Sequence, residues 1–238
     1  MESNNFGQPV GPALPDWEPP SPPARDPMEG ACCRLEKLDP ERHAGQLFEA
    51  FAADAEGRNW TYLGYGPFET PDEFGRWAEA SSNTDDPLFF AVTVEARAVG
   101  VASYLNIAPD GGSVEVGHIH FAEALKKTRA ATEAMYLMMR RAFEAGYRRY
   151  EWKCDALNAP SRRAAQRYGF SYEGVFRQAL VYKGRNRDTA WFAAIDAEWP
   201  ALREAFETWL APDNFDAAGQ QKKRLADLTR PILKKTGE

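Results

Sequence analysis

Between Leu125 and Ala134 the chain reads Leu-Lys-Lys-Thr-Arg-Ala-Ala-Thr-Glu-Ala. This is a basic loop running into a long segment of helical apolar spacing. A helix start presents N–H groups without intrahelical partners and the positive end of the helix dipole, so such a junction can receive phosphate. Ala130 and Ala131 are small enough for a ligand to reach the backbone, and Lys126, Lys127 and Arg129 add charge. Any helix that follows a basic loop shares these features. A second group is His118 and His120, two apart on a strand and therefore on one side of it. An H-x-H pair can ligate metal, but no third or fourth ligand accompanies it, and no metal site is expected. Cys154, in an apolar strand without a base partner, reads as core. Trp60, Tyr62, Tyr65, Phe68 and Trp77 crowd one stretch, with Trp77 on a helix where packing accounts for it.

The chain has 238 residues, 44% of them hydrophobic and 13% aromatic, enough for a sizeable core. Its formal net charge of -6 argues against non-specific nucleic-acid binding. No apolar run approaches the ~18 residues of a membrane span, and Met1–Gly30 lacks the basic and apolar regions of a secretory signal. The odd cysteine count, with Cys32 and Cys33 adjacent, suits reduced thiols, and a cytoplasmic location is expected. Charge is unevenly spread. Leu125–Arg149 carries a balance of +5 and Asn158–Arg187 one of +6, basic segments within an acidic chain. These are solvated helix faces with a basic hairpin, or a pocket for a small polyanion.

The elements that must position these residues are legible in the pattern. A proline-rich arm occupies residues 1–30, with Trp17 able to pin it to the surface. Strands are expected at Cys33–Leu38, Leu88–Glu95, Ala98–Ile107, Ser113–Phe121 and Arg149–Ala156. Phe170–Tyr182 and Arg187–Ile195 form a hairpin around Lys183-Gly184-Arg185-Asn186. Helices are expected at Glu41–Ala53, at Pro71–Ala80 with Thr70 and Glu73 in a capping-box arrangement, and at Thr128–Ala145. The last of these carries an apolar stripe through Ala131, Ala134, Met135, Met138 and Ala142. Another helix starts at Asn158 and ends near Tyr168, and a final amphipathic one covers Glu198–Leu210. The main domain would span 31–197 and the C-terminal helix and tail 198–238. A strand–helix–strand core flanked by hairpins implies a mixed sheet. G-x-G-x-x-G and G-K-[ST] motifs are absent.

Certain pieces fall in a family's order: Glu115-Val116-Gly117, Ala131-Thr132-Glu133-Ala134, Asn158-Ala159-Pro160-Ser161, Tyr168-Gly169-Phe170, Glu173-Gly174 and Lys183-Gly184-Arg185-Asn186-Arg187-Asp188. Over roughly Arg34 to Ala197 the chain resembles the GCN5-related N-acetyltransferases (GNAT), in particular those that modify ribosomal-protein N-termini. The resemblance implies an α/β (α+β) fold: a mixed, mostly antiparallel twisted sheet, flanked by helices, whose central strand pair splays to admit the pantetheine arm of acyl-CoA. It implies that backbone groups near Ile119 and Phe121 pair with pantetheine amides and that amides from Lys127 to Thr132, through Thr128, Arg129, Ala130 and Ala131, hold the pyrophosphate. Asn158 would touch the arm. It also implies that the aromatic stretch shapes the acceptor pocket.

The sequence departs from the family pattern at Arg129, where the phosphate loop usually has glycine. It departs again at Ala165, where a tyrosine acid is common, and at Leu180, where ribosomal-protein relatives carry a glutamate base. Candidates are therefore sought among residues present. Glu115, on the strand lining the gap, could be the general base, or else an exposed carboxylate or arginine partner. Ser161 could donate a proton to the leaving thiolate, or only serve the capping region. The expected activity is acetyl transfer from acetyl-CoA, or another acyl-CoA as co-substrate, to a primary amine on a protein N-terminus or small molecule. Succinyl-CoA is an alternative donor, since arginine-rich strands could pair its carboxylate. The rivals are a catalytically reduced CoA-binding sensor or partner module, and an interaction domain using the proline-rich arm. Neither nucleic acid nor membrane is expected as a partner, and the chain could pair with a second copy.

Overall fold

The computed structural model describes residues 2–237. Ten strands occur in chain order: β1 (Glu2–Ser3), β2 (Pro9–Val10), β3 (Met28–Glu29), β4 (Arg34–Lys37), β5 (Leu88–Val94), β6 (Arg97–Ala108), β7 (Ser113–Phe121), β8 (Arg149–Asp155), β9 (Ser171–Tyr182) and β10 (Arg185–Ile195). The α-helices are α1 (Pro40–Phe51), α2 (Pro71–Ser82), α3 (Arg129–Glu144), α4 (Ala159–Arg167), α5 (Trp199–Leu210) and α6 (Leu225–Thr229). β1 and β2 form a separate two-stranded ribbon, and the other eight strands form one sheet in the order β3-β4-β5-β6-β7-β8-β10-β9. Every pairing in the large sheet is antiparallel except β7 with β8, which run parallel around the crossover through α3. This is the mixed sheet that the order of strands and helices implied, and the mostly antiparallel one that the resemblance implied.

The parallel ladder is short. It runs from Ser113↔Arg149 to Val116↔Trp152 and then stops, although β7 continues to Phe121 and β8 to Asp155. A bulge accompanies the break. Between the pairs Ser103↔Gly117 and Val101↔His120, β7 has two residues, His118 and Ile119, against one on β6, and His118 takes φ +49. An extra residue bends a strand and raises its twist. β7 therefore keeps its ladder with β6 while leaving β8.

Two apolar layers clamp the sheet. α3 and α4 pack on one face through Ala134, Met138, Tyr150, Phe170 and Phe192, all below 2% exposed. α1 and α2 pack on the other through Leu47, Phe51, Phe74 and Trp60. The stripe foreseen on α3 is buried, but so are Glu133, Tyr136, Leu137 and Met139 on its other sides. The reason is the arm and α5. Arg141 donates to the carbonyls of Ala24 and Pro27 at 3.1 and 2.8 Å. Glu133 accepts from the amides of Ala31, Cys32 and Cys33 at 2.8, 2.6 and 2.9 Å. Its carboxylate also explains Gly30, where a Cβ would lie 2.4 Å from Glu133 Oε2. Trp17 does meet the body, packing over Gly112 with the Arg148 guanidinium 5.8 Å from its ring centre.

The β9–β10 turn is tighter than the four residues expected. Lys183 and Gly184 alone form it, at φ +48 and +69, and Arg185 already pairs with Tyr182. Positive φ at both central residues gives a hairpin turn whose twist matches that of its strands. Among the described residues no helix is long and apolar enough to cross a membrane.

Candidate active site

Where β7 leaves β8, a cavity of about 860 Å³ opens between them, roofed by residues 59–64 and by the inner face of β9 and β10. Its size falls within the usual range for small-molecule sites, about 300–1,000 Å³. Glu115, Gly117, His118, Ile119 and Phe121 of β7, Trp152 to Asp155 of β8, and Asn158 and Ser161 at the start of α4 all line it. The roof is tied at two points: Lys183 Nζ donates to the Trp60 carbonyl at 2.7 Å, and the Tyr62 hydroxyl to the Leu157 carbonyl at 3.3 Å.

Glu115 is 5% exposed. Its Oε2 accepts from Asn106 Nδ2 at 2.6 Å and meets Lys153 Nζ at 2.8 Å, while Oε1 has no such partner. Burial raises the carboxyl's pKa, against the opposing pull of Lys153 and Asn106. Gly117 lies beside Oε1, and a Cβ there would crowd Leu105 Cδ2 at 2.8 Å and touch that oxygen at 3.7 Å. Lys153 also bridges Glu151 at 2.7 Å and lies 4.0 Å from the Trp191 ring centre. Burial works against its charge, yet the bonds to Glu115 and Glu151 prevail and its pKa is raised. A carboxylate so placed can take a proton on Oε1 while its other oxygen is held.

Ser161 Oγ accepts from the Trp152 indole at 3.0 Å and lies beside the Cys154 thiol. Its amide donates to Asn158 Oδ1 at 3.1 Å, so Asn158 caps α4. His118 stacks on Tyr65 with ring centres 5.6 Å apart, and its Nδ1 lies 3.2 Å from the Tyr65 hydroxyl. Burial, with help from the charge of Arg187, lowers its pKa, so it is neutral at pH 7. His120 packs between Phe51 and Trp60 at 4.0 and 3.8 Å with both ring nitrogens unpartnered. Among the described residues no group of three or more His, Cys, Asp or Glu could hold a metal ion. Tyr182 donates to Asp155 Oδ2 at 2.8 Å, and burial followed by that carboxylate pushes its hydroxyl to about 12.

Lys126 to Thr132 lie outside this cavity's lining, around the start of α3. Thr128 is the N-cap: its hydroxyl accepts from the Ala131 amide at 3.1 Å and donates to the Leu125 carbonyl at 2.6 Å. With the Thr128 amide bonded to the Leu125 carbonyl, the first-turn amides still to be satisfied are those of Arg129 and Ala130. Two of the three cationic side chains already have partners here. Lys126 is bound to Asn59 and to Glu123, the latter at 2.7 Å. Arg129 turns to the Leu210 carbonyl at the end of α5 and lies 4.6 Å from the Phe215 ring centre. In both cases a nearer partner, contributed by a distant segment, competes for the cation. Thr132 is buried and its hydroxyl accepts from Arg167 at 3.1 Å.

The acetyltransferase (GNAT) domain model matches residues 33–171. A GCN5-related N-acetyltransferase from Brucella melitensis, known from its crystal structure, is 46% identical; the match covers 91% of this chain and 100% of that one, with a TM-score of 0.89. This chain belongs to the GNAT family. A probable GNAT acetyltransferase from Chromobacterium violaceum is 41% identical over 81% of this chain and 98% of its own, with a TM-score of 0.77. The microcin C7 self-immunity acetyltransferase MccE, crystallised with acetyl-CoA and AMP, is 18% identical, with a TM-score of 0.62 over 70% of this chain and 93% of its own. At that identity the likeness is one of fold. A comparison with curated proteins gave no match.

The GNAT fold brings Glu115, Ile119, Phe121, Asn158 and Ser161 to one cavity and leaves the loop residues at a separate helix end. Ala165 is fully buried, and Leu180 is 42% exposed on the cavity wall. Neither can move a proton. Sequence reasoning missed Lys153, Asp155, Tyr182 and Arg187, which line the same cavity. The alternation along β8, with Glu151, Lys153 and Asp155 on every second residue, was the available signal.

Proposed function

We propose that this chain transfers an acyl group, in the first place acetyl, from acyl-CoA directly to a primary amine in this cavity. The observation that carries the reading is the break of the parallel ladder after Val116↔Trp152, at a cavity that has Glu115 on its wall. The stretch of β7 around Ile119 and Phe121, which has left β8, would bond the pantetheine amides. Asn158 would contact the arm, and the amides of Lys127 to Thr132, foremost Arg129 and Ala130, would hold the pyrophosphate. The amine nitrogen attacks the thioester carbon, the C–S bond breaks, and amide and free CoA thiol result. Glu115 Oε1 takes the proton lost by the amine, directly or through water, and Ser161 donates to the departing sulfur. A thiolate needs little such help at neutral pH. An unpartnered carboxylate oxygen in the cavity favours an enzyme over a sensor module.

The acceptor is a small amine or a protein N-terminus, and a cytoplasmic supply of acyl-CoA suits the reaction. Mass spectrometry of purified protein incubated with acetyl-CoA and a mixed amine pool tests it. The expected result is acetylated amine and free CoA in equal amounts. CoA release without acetylated product, or no turnover together with no thermal stabilisation by acetyl-CoA, would contradict it.

A further inference from the structure

The acyl-transfer reading, on which the following rests, leaves one cation of the cavity unexplained. Every other charged side chain lining it has a partner. Glu115 and Lys153 hold each other at 2.8 Å. Asp155 accepts from the Tyr182 hydroxyl and from the Leu157 amide, both at 2.8 Å. Arg187, half-buried on β10, is different. Its Nε donates to Thr189 Oγ1 at 3.1 Å and its guanidinium stands 5.8 Å from the Tyr182 ring centre. Among the described residues no carboxylate lies within ion-pairing distance of it, although the neighbouring strands carry several ion pairs.

A half-buried guanidinium without a counter-ion has lost part of its hydration, and one hydrogen bond and a ring contact offset only part of that loss. Its two terminal nitrogens present a planar fork that matches a carboxylate in two parallel hydrogen bonds. The Nε bond to Thr189 limits how the fork can turn. Position adds to this. Arg187 lines the cavity together with His118 of β7 and Cys154 of β8, the two sides of the split. Arg187 therefore stands beside the gap where a thioester and an amine would meet.

We propose that Arg187 is an anion-recognition residue of this cavity, and that one of the two reacting ligands, acyl group or amine acceptor, carries a carboxylate. The shared chemistry is a carboxylate several atoms from the reacting centre. Two matched pairs separate the sources: succinyl-CoA against butyryl-CoA as donors, and 4-aminobutyrate against butylamine as acceptors. Titration calorimetry gives the affinities, the acceptors being titrated in the presence of desulfo-CoA, and steady-state transfer gives kcat/KM.

In one pair the carboxylate-bearing member is expected to bind at least about 10-fold better, as a bidentate charged contact would give. Arg187→Met should collapse that ratio toward one, and Arg187→Lys should restore only part of it, since an ammonium lacks the fork. A preference in the donor pair assigns the anion to the acyl group, and one in the acceptor pair assigns it to the amine. Equal affinities in both pairs, or a preference that survives Arg187→Met in a folded variant, would overturn the proposal. Failure of every CoA thioester to bind would instead overturn the acyl-transfer reading, and the anion site would fall with it.

Discussion

The base role proposed for Glu115 rests on what surrounds it. Oε2 is fixed by Asn106 and Lys153, Oε1 lies beside Gly117, and burial raises the pKa. A base works only when deprotonated, so the rate should rise with pH through this raised pKa. Glu115→Gln is expected to lower kcat by roughly 100-fold, the low end for positioned proton transfer, and to remove that acidic limb. Acetyl-CoA affinity, measured by titration, should stay within about 2-fold. Ser161→Ala should slow transfer by less, and the deficit should shrink for donors with a better leaving thiol. The place of these two residues at the gap was legible because a strand position and a helix cap are local facts. Arg187 and Lys153 were not, because their meaning depends on which strands lie side by side and on which carboxylates come within reach. Arg129 shows the same limit: sequence places it in the basic loop, but not the bond that its guanidinium makes to the end of α5.

At the scale of elements, hydrophobic period, caps and turn residues placed all the long strands and helices to within a few residues. Period 2 and period 3.6 are properties of a segment by itself. Short pieces escaped. β1, β2 and β3 have two residues each, too few for a period, and the five-residue α6 lies in a polar stretch. The bulge at His118–Ile119 escaped too, because nothing in Gly-His-Ile-His marks an extra residue; only the register against β6 does. The burial of α3 on several sides depends on the arm, and Glu133 is the device that holds the two together. Glu133→Ala would leave the amides of Ala31, Cys32 and Cys33 short of an acceptor. A loss of roughly 3 kcal/mol is expected, since bonds to a charged group contribute about 1.5–3 kcal/mol and buried orphans cost about as much. Urea denaturation should show a lower midpoint with the slope nearly unchanged, and a Glu133→Gln variant should lose less. An unchanged midpoint for Glu133→Ala would mean that these three bonds add nothing to stability.

For the whole molecule, all three histidines are pulled below their ordinary pKa by burial, His120 to about 3. A neutral native imidazole and an unfolded one with pKa near 6.5 bind the same number of protons above about pH 7, so stability is flat there. As the pH falls below about 6.5 the unfolded chain takes up protons that the native site refuses, and stability drops. For His120 the drop continues to about pH 3, at up to about 1.4 kcal/mol per pH unit. His120→Leu should flatten the urea-unfolding free energy by about that slope between pH 6 and 4, and a slope equal to wild type would contradict the assignment. The sheet's split parallel pair has a consequence for ligand binding as well. The β7 amides beyond Val116 have no β8 ladder to protect them, whereas those from Ser113 to Val116 do. Hydrogen–deuterium exchange with and without acetyl-CoA reads this difference directly. Slowed exchange is expected in peptides covering Gly117–Phe121 and Lys127–Ala131, with Ser113–Val116 unchanged. Acetyl-CoA that binds yet leaves both segments exchanging as before would contradict a cofactor held in the split.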